Sequence, residues 1–436
     1  MKDDTTIFGA KSDNLDRLLR FALEPPEEEN QAAQTASLDT LTEKPGGRID
    51  KYKLLSVLGE GGMGIVYLAE QEEPVRRQVA LKVIKPGMDS KRVKARFEAE
   101  QQALAIMEHP HIASVFDAGL APSGRPYFVM EYVKGISITE HCDKFKLTIE
   151  QRLHLFLHVC EAIQHAHQKG VIHRDIKPSN ILITIEDRQA VPKVIDFGIA
   201  RAISQPLTER TFYTEQGQLI GTPEYMSPEQ ADLSSKNIDT RTDIYSLGVI
   251  LYELLAGVLP FDMETFRSGG IDHIRKVICE TEPKTPSTCL KKTSIEDLAK
   301  FARCRRIDIR TLCRKLKGDL DWITLKAMEK DPTRRYSTVD AMAADICNHL
   351  NHQPVSAAPP AFLYRVRKFA RRHRQALAAT AMLTLVIIAG LIASIMYHRT
   401  AREHAYVESL EHQRLLDDVK MLIGNKKYDQ AQSRIG

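Results

Sequence analysis

Eight residues, His173-Arg174-Asp175-Ile176-Lys177-Pro178-Ser179-Asn180, place a candidate base, cations and an amide within one short stretch. Apolar runs flank it, Gly170-Val171-Ile172 before and Ile181-Leu182-Ile183 after, so it reads as a polar loop held between buried segments. Sixteen residues beyond Asn180, after Val194-Ile195, stands Asp196-Phe197-Gly198. Two carboxylates, an amide and a lysine so arranged suit one task. They can hold Mg²⁺ and a phosphate chain beside an attacking hydroxyl.

These groups need a scaffold. Lys53 to Leu58 reads as a strand, Gly59 to Gly64 as a turn, and Ile65 to Glu70 as a second strand. The turn, Gly59-Glu60-Gly61-Gly62-Met63-Gly64, lets backbone approach phosphate oxygens and offer N–H donors. A dinucleotide fold would need a helix straight after it, and Ile65-Val66-Tyr67-Leu68-Ala69 reads as strand instead. A third strand, Val79 to Ile84, carries Lys82 between apolar neighbours, and a half-buried lysine needs an anionic partner. Ser90 to Met107 shows helical spacing and offers Glu98 and Glu100, about 160° apart around the helix. Glu100 is the choice, because Leu104 and Met107 lie at helical spacings from it. Ile112 to Ala118 and Pro126 to Tyr132 supply two more strands.

Further on the pattern turns helical. Ile149 to Lys169 directs Leu153, Phe156, Leu157, Cys160, Ile163 and Ala166 inward, and Arg241 to Ala256, Asp319 to Lys330 and Thr338 to Leu350 follow. The four histidines of the first helix, His154, His158, His165 and His167, have no carboxylate or cysteine at zinc-site spacing and are not read as metal ligands. Residues 281–318 hold eleven Lys/Arg and read as a basic, solvated surface insertion, the alternative being a docking site for an acidic partner or lipid headgroups.

Together these motifs resemble a eukaryotic-type protein kinase of the bacterial receptor-like serine/threonine class, over about residues 52–350. The glycine loop, the Val79-Ala80-Leu81-Lys82 strand, His173-Arg174-Asp175 with Asn180, and Asp196-Phe197-Gly198 occur in the right order and context. The resemblance implies an α+β bilobal fold, a β-rich N-lobe at 52–133 and a mainly helical C-lobe at 136–350. It implies ATP with Mg²⁺, or Mn²⁺ in its place, as cofactors. Lys82 would hold the α/β-phosphates and pair with Glu100. Asp175 would orient the substrate hydroxyl, Lys177 would steady the γ-phosphate, and Asn180 and Asp196 would ligate the metal. Met130 would sit behind adenine, with the backbones of Glu131 and Val133 at its edge and Ala80 and Val66 over its faces. Leu58, Gly59, Glu60, Gly61, Gly62, Met63 and Gly64 complete the nucleotide-binding set.

The resemblance also makes Asp196 to Glu229 an activation segment, with Gly221-Thr222-Pro223-Glu224-Tyr225 facing substrate. Ser227-Pro228-Glu229 departs from the usual Ala-Pro-Glu, small for small, and keeps Glu229 to pair with Arg335. Asp243 would anchor the catalytic loop. Arg174 would meet a phosphate on Thr208, Thr211 or Thr214, with Ser204 and Tyr213 ranked below. The implied activity is transfer of the γ-phosphate to Ser/Thr hydroxyls of proteins, autophosphorylation included. The rival is a pseudokinase scaffold that binds nucleotide and partners without turnover, but Lys82, Asp175 and Asp196 are all present.

The 436 residues carry a net charge of +4, too small to argue for nucleic acid. Seven cysteines without a C-x-x-C pair argue against a disulfide framework or structural zinc. Residues 1–47 read as a poorly ordered tail, with order beginning near Tyr52. Near the other end, Arg365 to Arg374 holds six cations in ten residues, within a basic segment at 354–375, and residues 376–397 are free of charge. As a helix that run spans about 33 Å, the thickness of a bilayer core. A single-pass protein of the cytoplasmic membrane is therefore expected, with the lipid bilayer as a partner and the catalytic part cytoplasmic, since cations concentrate before the span. The tail 398–436 is too short for its own core. It is expected to form a helical hairpin or to pair with a neighbour, and a homodimer would aid phosphorylation in trans.

Overall fold

The computed structural model of the protein describes residues 43–61, 64–84, 107–197, 222–232, 238–261, 270–292 and 294–432. Gly62, Met63, Glu98, Glu100, Ser204, Thr208, Thr211, Tyr213 and Thr214 lie outside them. The chain divides into two units, residues 1–361 and 362–436.

The first unit opens with an antiparallel six-stranded sheet. Its strands are β1 (Arg48–Ile49), β2 (Tyr52–Gly61), β3 (Gly64–Gln71), β4 (Arg77–Ile84), β5 (Val115–Leu120) and β6 (Pro126–Glu131), in the order β1-β2-β3-β4-β6-β5. Strand alternation sorts its central residues onto two faces. Val79, Leu81 and Val83 of β4 join Tyr127 and Val129 of β6 in one apolar cluster. Ala80 and Ile84, with Phe128 and Met130, join the larger core instead. Lys82 has the parity of Ala80, and its register partners are Val66 on β3 and Phe128 on β6.

Three sequence expectations shift here. Ahead of Tyr52 the chain is already held at Glu43: its side chain meets Arg125 at 3.1 Å, and its carbonyl accepts the Tyr67 hydroxyl at 2.9 Å. Ile49 is buried, so the chain ahead of Tyr52 belongs to the fold. Strand β5 starts at Val115, because Ile112 forms an isolated parallel bridge to Val194. The expected turn at 59–64 is shorter, with β2 running on to Gly61.

Beyond the sheet the chain is helical. A small antiparallel sheet, β7 (Ile136–Ser137), β8 (Ile181–Glu186) and β9 (Gln189–Val194), frames the polar loop. Helices α1 (Ile138–Lys144) and α2 (Ile149–Gln168) come between β7 and β8. Thr148 and Gln151 cap α2 reciprocally, each side chain bonding the other's backbone N–H. Next come α3 (Pro228–Ala231), α4 (Arg241–Ala256), α5 (Ile271–Glu280), α6 (Pro286–Cys289), α7 (Ile295–Cys304), α8 (Ile309–Leu316), α9 (Asp319–Ala327) and α10 (Val339–Leu350). Helix α4 is apolar almost all round and runs through the core. It ends at Gly257, whose φ of +84° is the left-handed cap that glycine adopts without strain.

Residues 281–318 are not a solvated insertion. Leu290, Leu312 and Leu316 are fully buried, and so is Arg305. The Arg305 guanidinium donates to the carbonyls of Leu255 (2.6 Å), Leu254 (2.8 Å) and Phe301 (3.0 Å). Arg152 from α2 donates to Leu254 as well, at 3.3 Å. Two buried arginines thus satisfy the orphan carbonyls at the negative end of α4. The unit also continues past Leu350, since Val355 is buried and the Asp345 carboxylate accepts the Ser356 and Ala357 N–H groups at 2.6 and 2.9 Å.

In the second unit, α11 (Phe362–Arg372) precedes α12 (Arg374–Gln432). Helix α12 contains a stretch, Gln375–Met421, long and apolar enough by length and composition to cross a membrane. The expected hairpin after residue 397 is absent, because the helix continues without a break to Gln432.

Candidate active site

The polar loop leaves α2 through Gly170 (φ +76°) and closes as a 3₁₀ turn, Pro178–Asn180, that feeds β8. Helix α4 holds its middle. The buried Asp243 carboxylate accepts the backbone N–H groups of His173 and Arg174, each at 2.8 Å, and contacts His167 Nε2 at 2.8 Å. Arg174 stands at φ +65°, and its carbonyl accepts the Gln230 amide at 2.6 Å. His173 Nε2 bonds the Ile195 carbonyl at 3.1 Å, and its ring lies 4.6 Å from that of Phe197. The loop is thereby tied to α3, α4 and the chain beside Asp196.

Within the loop, Lys177 Nζ lies 2.9 Å from Asp175 Oδ2. The Asn180 amide donates to the Asp175 carbonyl at 2.8 Å and to Asp175 Oδ2 at 3.3 Å. Its nitrogen being so engaged, Oδ1 is the acceptor that remains. Asp196, at φ +60°, forms an ion pair with Lys82 of β4. Glu100, the partner chosen for Lys82 from the sequence, lies outside the described residues. The available donors are an amide oxygen and carboxylates, hard ligands that suit Mg²⁺ better than a soft metal.

Ala80 and Met130 are register partners and both buried, Val66 is half-buried, and Val133 is buried just after the strand. Glu131 is held by Lys193 at 3.2 Å and accepts the Ser114 N–H at 3.2 Å. Leu58, Gly59, Glu60 and Gly61 are exposed. A Cβ at Gly59 or Gly61 would meet nothing within 4 Å, whereas one at Gly64 would stand 2.2 Å from the Val83 carbonyl oxygen. Gly64 is therefore demanded by the close approach of β3 to β4, not by phosphate.

On the other side, Thr222 is exposed at the start of a 3₁₀ turn, Pro223–Tyr225. Glu229 receives both Arg335 guanidinium nitrogens at 2.7 Å and the Thr242 hydroxyl at 2.7 Å. Burial alone would raise the Glu229 carboxyl, but Arg335 and Thr242 hold it below the usual carboxylate range. Nearby, the Tyr225 hydroxyl donates to Glu253 at 2.7 Å. His167, Lys193 and Gln230 were not singled out as site residues from the sequence. Each acts through a partner tens of residues away, and no local spacing signals that.

The model for the protein kinase domain matches residues 52–350. The chain is 36% identical over 319 residues to the serine/threonine-protein kinase PknB of Mycobacterium tuberculosis, covering 72% of this chain and 45% of that protein. It is 36% identical over 307 residues to the serine/threonine-protein kinase PrkC of Bacillus subtilis, covering 69% and 41%. The match thus spans less than half the length of these relatives. The crystal structure of the PknI kinase domain of M. tuberculosis is 25% identical, covers 71% of this chain and 100% of that one, and superposes with a TM-score of 0.48. The chain belongs to the protein kinase family and, within it, to the bacterial serine/threonine protein kinases.

Proposed function

We propose that this chain transfers the γ-phosphate of ATP to serine and threonine hydroxyls of proteins, itself included. The observation that carries the reading is the Lys82–Asp196 ion pair, set beside a loop in which Asp175, Lys177 and Asn180 touch one another. Lys82 comes from the sheet and Asp196 from the segment after β9, so the pair brings two separate elements together. Asn180 and Asp196 would hold Mg²⁺, which when bound would supply charge neutralisation on the phosphates. Lys82 binds and orients the phosphate chain. Asp175 orients the attacking hydroxyl and takes its proton, and Lys177 places a positive charge where the transferred group becomes more negative.

The apolar part of α12, preceded by six cations between Arg365 and Arg374, supports single-pass anchoring with the catalytic unit on the cytoplasmic side. Anchored neighbours would meet at high effective concentration, which favours phosphorylation in trans on the segment bearing Thr208, Thr211 and Thr214.

The test uses the full chain in detergent with labelled ATP, Mg²⁺ and a generic basic protein. Asp175→Asn is expected to lower labelling by roughly 10²–10⁴-fold. Equal labelling by both proteins would sink the catalytic assignment. Repeating the assay with Mn²⁺ ranks the two metals.

A further inference from the structure

Behind the active site, four histidines from two distant stretches meet. His109 and His111 come from the segment ahead of β5, and His158 and His165 from α2. The rings of His111 and His158 lie 4.6 Å apart, those of His109 and His165 5.1 Å, and those of His109 and His111 5.5 Å. Glu161, one helical turn beyond His158, contacts its Nδ1 at 3.1 Å. Ligand atoms of His111, His158 and Glu161 all fall within 4.8 Å of one another. The sequence reading set the helix histidines aside for want of a carboxylate, yet Glu161 stands three residues from His158, and the fold brings His111 as the third donor.

The hydrogen bonds of the cluster fix its chemistry. His111 Nδ1 lies 3.0 Å from the Pro192 carbonyl, which can only accept, so Nδ1 carries the proton and Nε2 keeps its lone pair. A histidine metal ligand is oriented in this way, one nitrogen donating to a carbonyl and the other free for the metal. At 3.1 Å, the spacing of His158 Nδ1 and Glu161 Oε2 is close to the donor separation of roughly 3.3 Å that a tetrahedral ion with bonds of ~2.0 Å requires.

We propose that His111, His158 and Glu161 form a binding site for a first-row divalent ion of the Zn²⁺ type, separate from the Mg²⁺ site. The ion replaces the proton shared by His158 and Glu161 and takes His111 Nε2 as its third protein ligand, leaving one position to water. Both helix ligands are exposed and can close by the ångström or so that coordination needs. Two imidazoles and one carboxylate favour Zn²⁺, Ni²⁺ or Cu²⁺ over Mg²⁺, which prefers oxygen.

The site has a mechanical consequence. The His111 carbonyl accepts the Val194 N–H at 2.8 Å, and Val194 returns its carbonyl to the Ala113 N–H at 2.9 Å. Asp196 follows two residues later. An ion at His111 therefore clamps α2 to the end of β9, just ahead of the segment that carries Asp196.

The probe is Co²⁺, titrated into the full chain in detergent with excess Mg²⁺ present. One equivalent should give an intense visible d–d band without the near-ultraviolet band of thiolate ligation. In His158→Ala and in Glu161→Gln the apparent Kd should rise at least tenfold, with the helical circular dichroism of the protein retained. An equally strong band in both variants, a thiolate band, or no band at all overturns the proposal.

Discussion

Asp243 and Arg174 meet at the point where helix and loop are locked together: the carboxylate accepts the Arg174 N–H at 2.8 Å while Arg174 stands at φ +65°. A non-glycine residue in the left-handed region is strained and persists only when its surroundings over-determine it. Here they do, because Asp243 also takes the His173 N–H and Gln230 holds the Arg174 carbonyl. The peptides on either side of His173 are therefore fixed by a carboxylate that itself stands outside the loop, and the one just before Asp175 by Gln230.

Replacing that carboxylate tests the coupling. Asp243→Asn puts an amide donor against groups that already donate, so one buried N–H loses its acceptor at a cost of about 1–3 kcal/mol. Phosphotransfer is expected to fall by more than tenfold, with ATP affinity little changed, because Lys82 is untouched. Titrating nucleotide binding beside turnover checks this. A variant with full turnover would show that the loop holds its shape without Asp243.

The glycines of the β2–β3 hairpin separate into two kinds. Gly64→Ala drives a Cβ into the Val83 carbonyl and is expected to cost about 1–3 kcal/mol by displacing β3 from β4. Gly61→Ala meets nothing in the fold and should leave the melting temperature within a degree or two. If it matters, it matters through bound nucleotide. Melts of both variants, with and without ATP, distinguish a fold glycine from a ligand glycine. Equal losses would sink the distinction.

The sequence was most informative where chemistry is local. Asp175, Lys177 and Asn180 lie within six residues, so their mutual contacts could be expected from the loop alone, and strand parity placed Lys82 on the face shared with Ala80. Charge was misleading at Arg305. A basic run reads as solvated surface, and only the folded chain shows that four carbonyls wait for this one guanidinium. Likewise, Glu43 sits in a polar stretch with no periodic signal, and its anchor, Arg125, lies 82 residues away. The histidine cluster escaped for the same reason, since His111 and His158 belong to different elements.

Arg305 can be tested against its neighbour. Arg305→Ala removes the donors that satisfy the last carbonyls of α4 and leaves a buried void, so a loss of roughly 3–5 kcal/mol is expected. Arg303, two residues away, is exposed, and Arg303→Ala should change stability by less than about 0.5 kcal/mol. Urea unfolding of the two variants measures both. Similar midpoints would return Arg305 to the solvated face that its sequence context suggests.

Lys330 makes the pH dependence of stability specific. Its ammonium donates to the Ile278 carbonyl at 2.7 Å and lies 4.7 Å from the Phe261 ring centroid and 5.6 Å from that of Tyr245. Burial pulls its pKa down from 10.5 to about 8, with Glu282 and Cys279 resisting and Arg335 assisting. Between about 8 and the unfolded value, the unfolded chain binds more protons than the folded one, so this residue makes stability rise with pH across that window. Below about 8 both states are charged, and the folded state bears the full cost of burying the cation. Lys330→Met removes the titration. The melting temperature of the parent chain, measured relative to that variant, is therefore expected to climb as pH is raised from about 7.5 to about 9.5. A difference that stays flat, or that falls with pH, would mean that the ammonium is solvated in the folded protein.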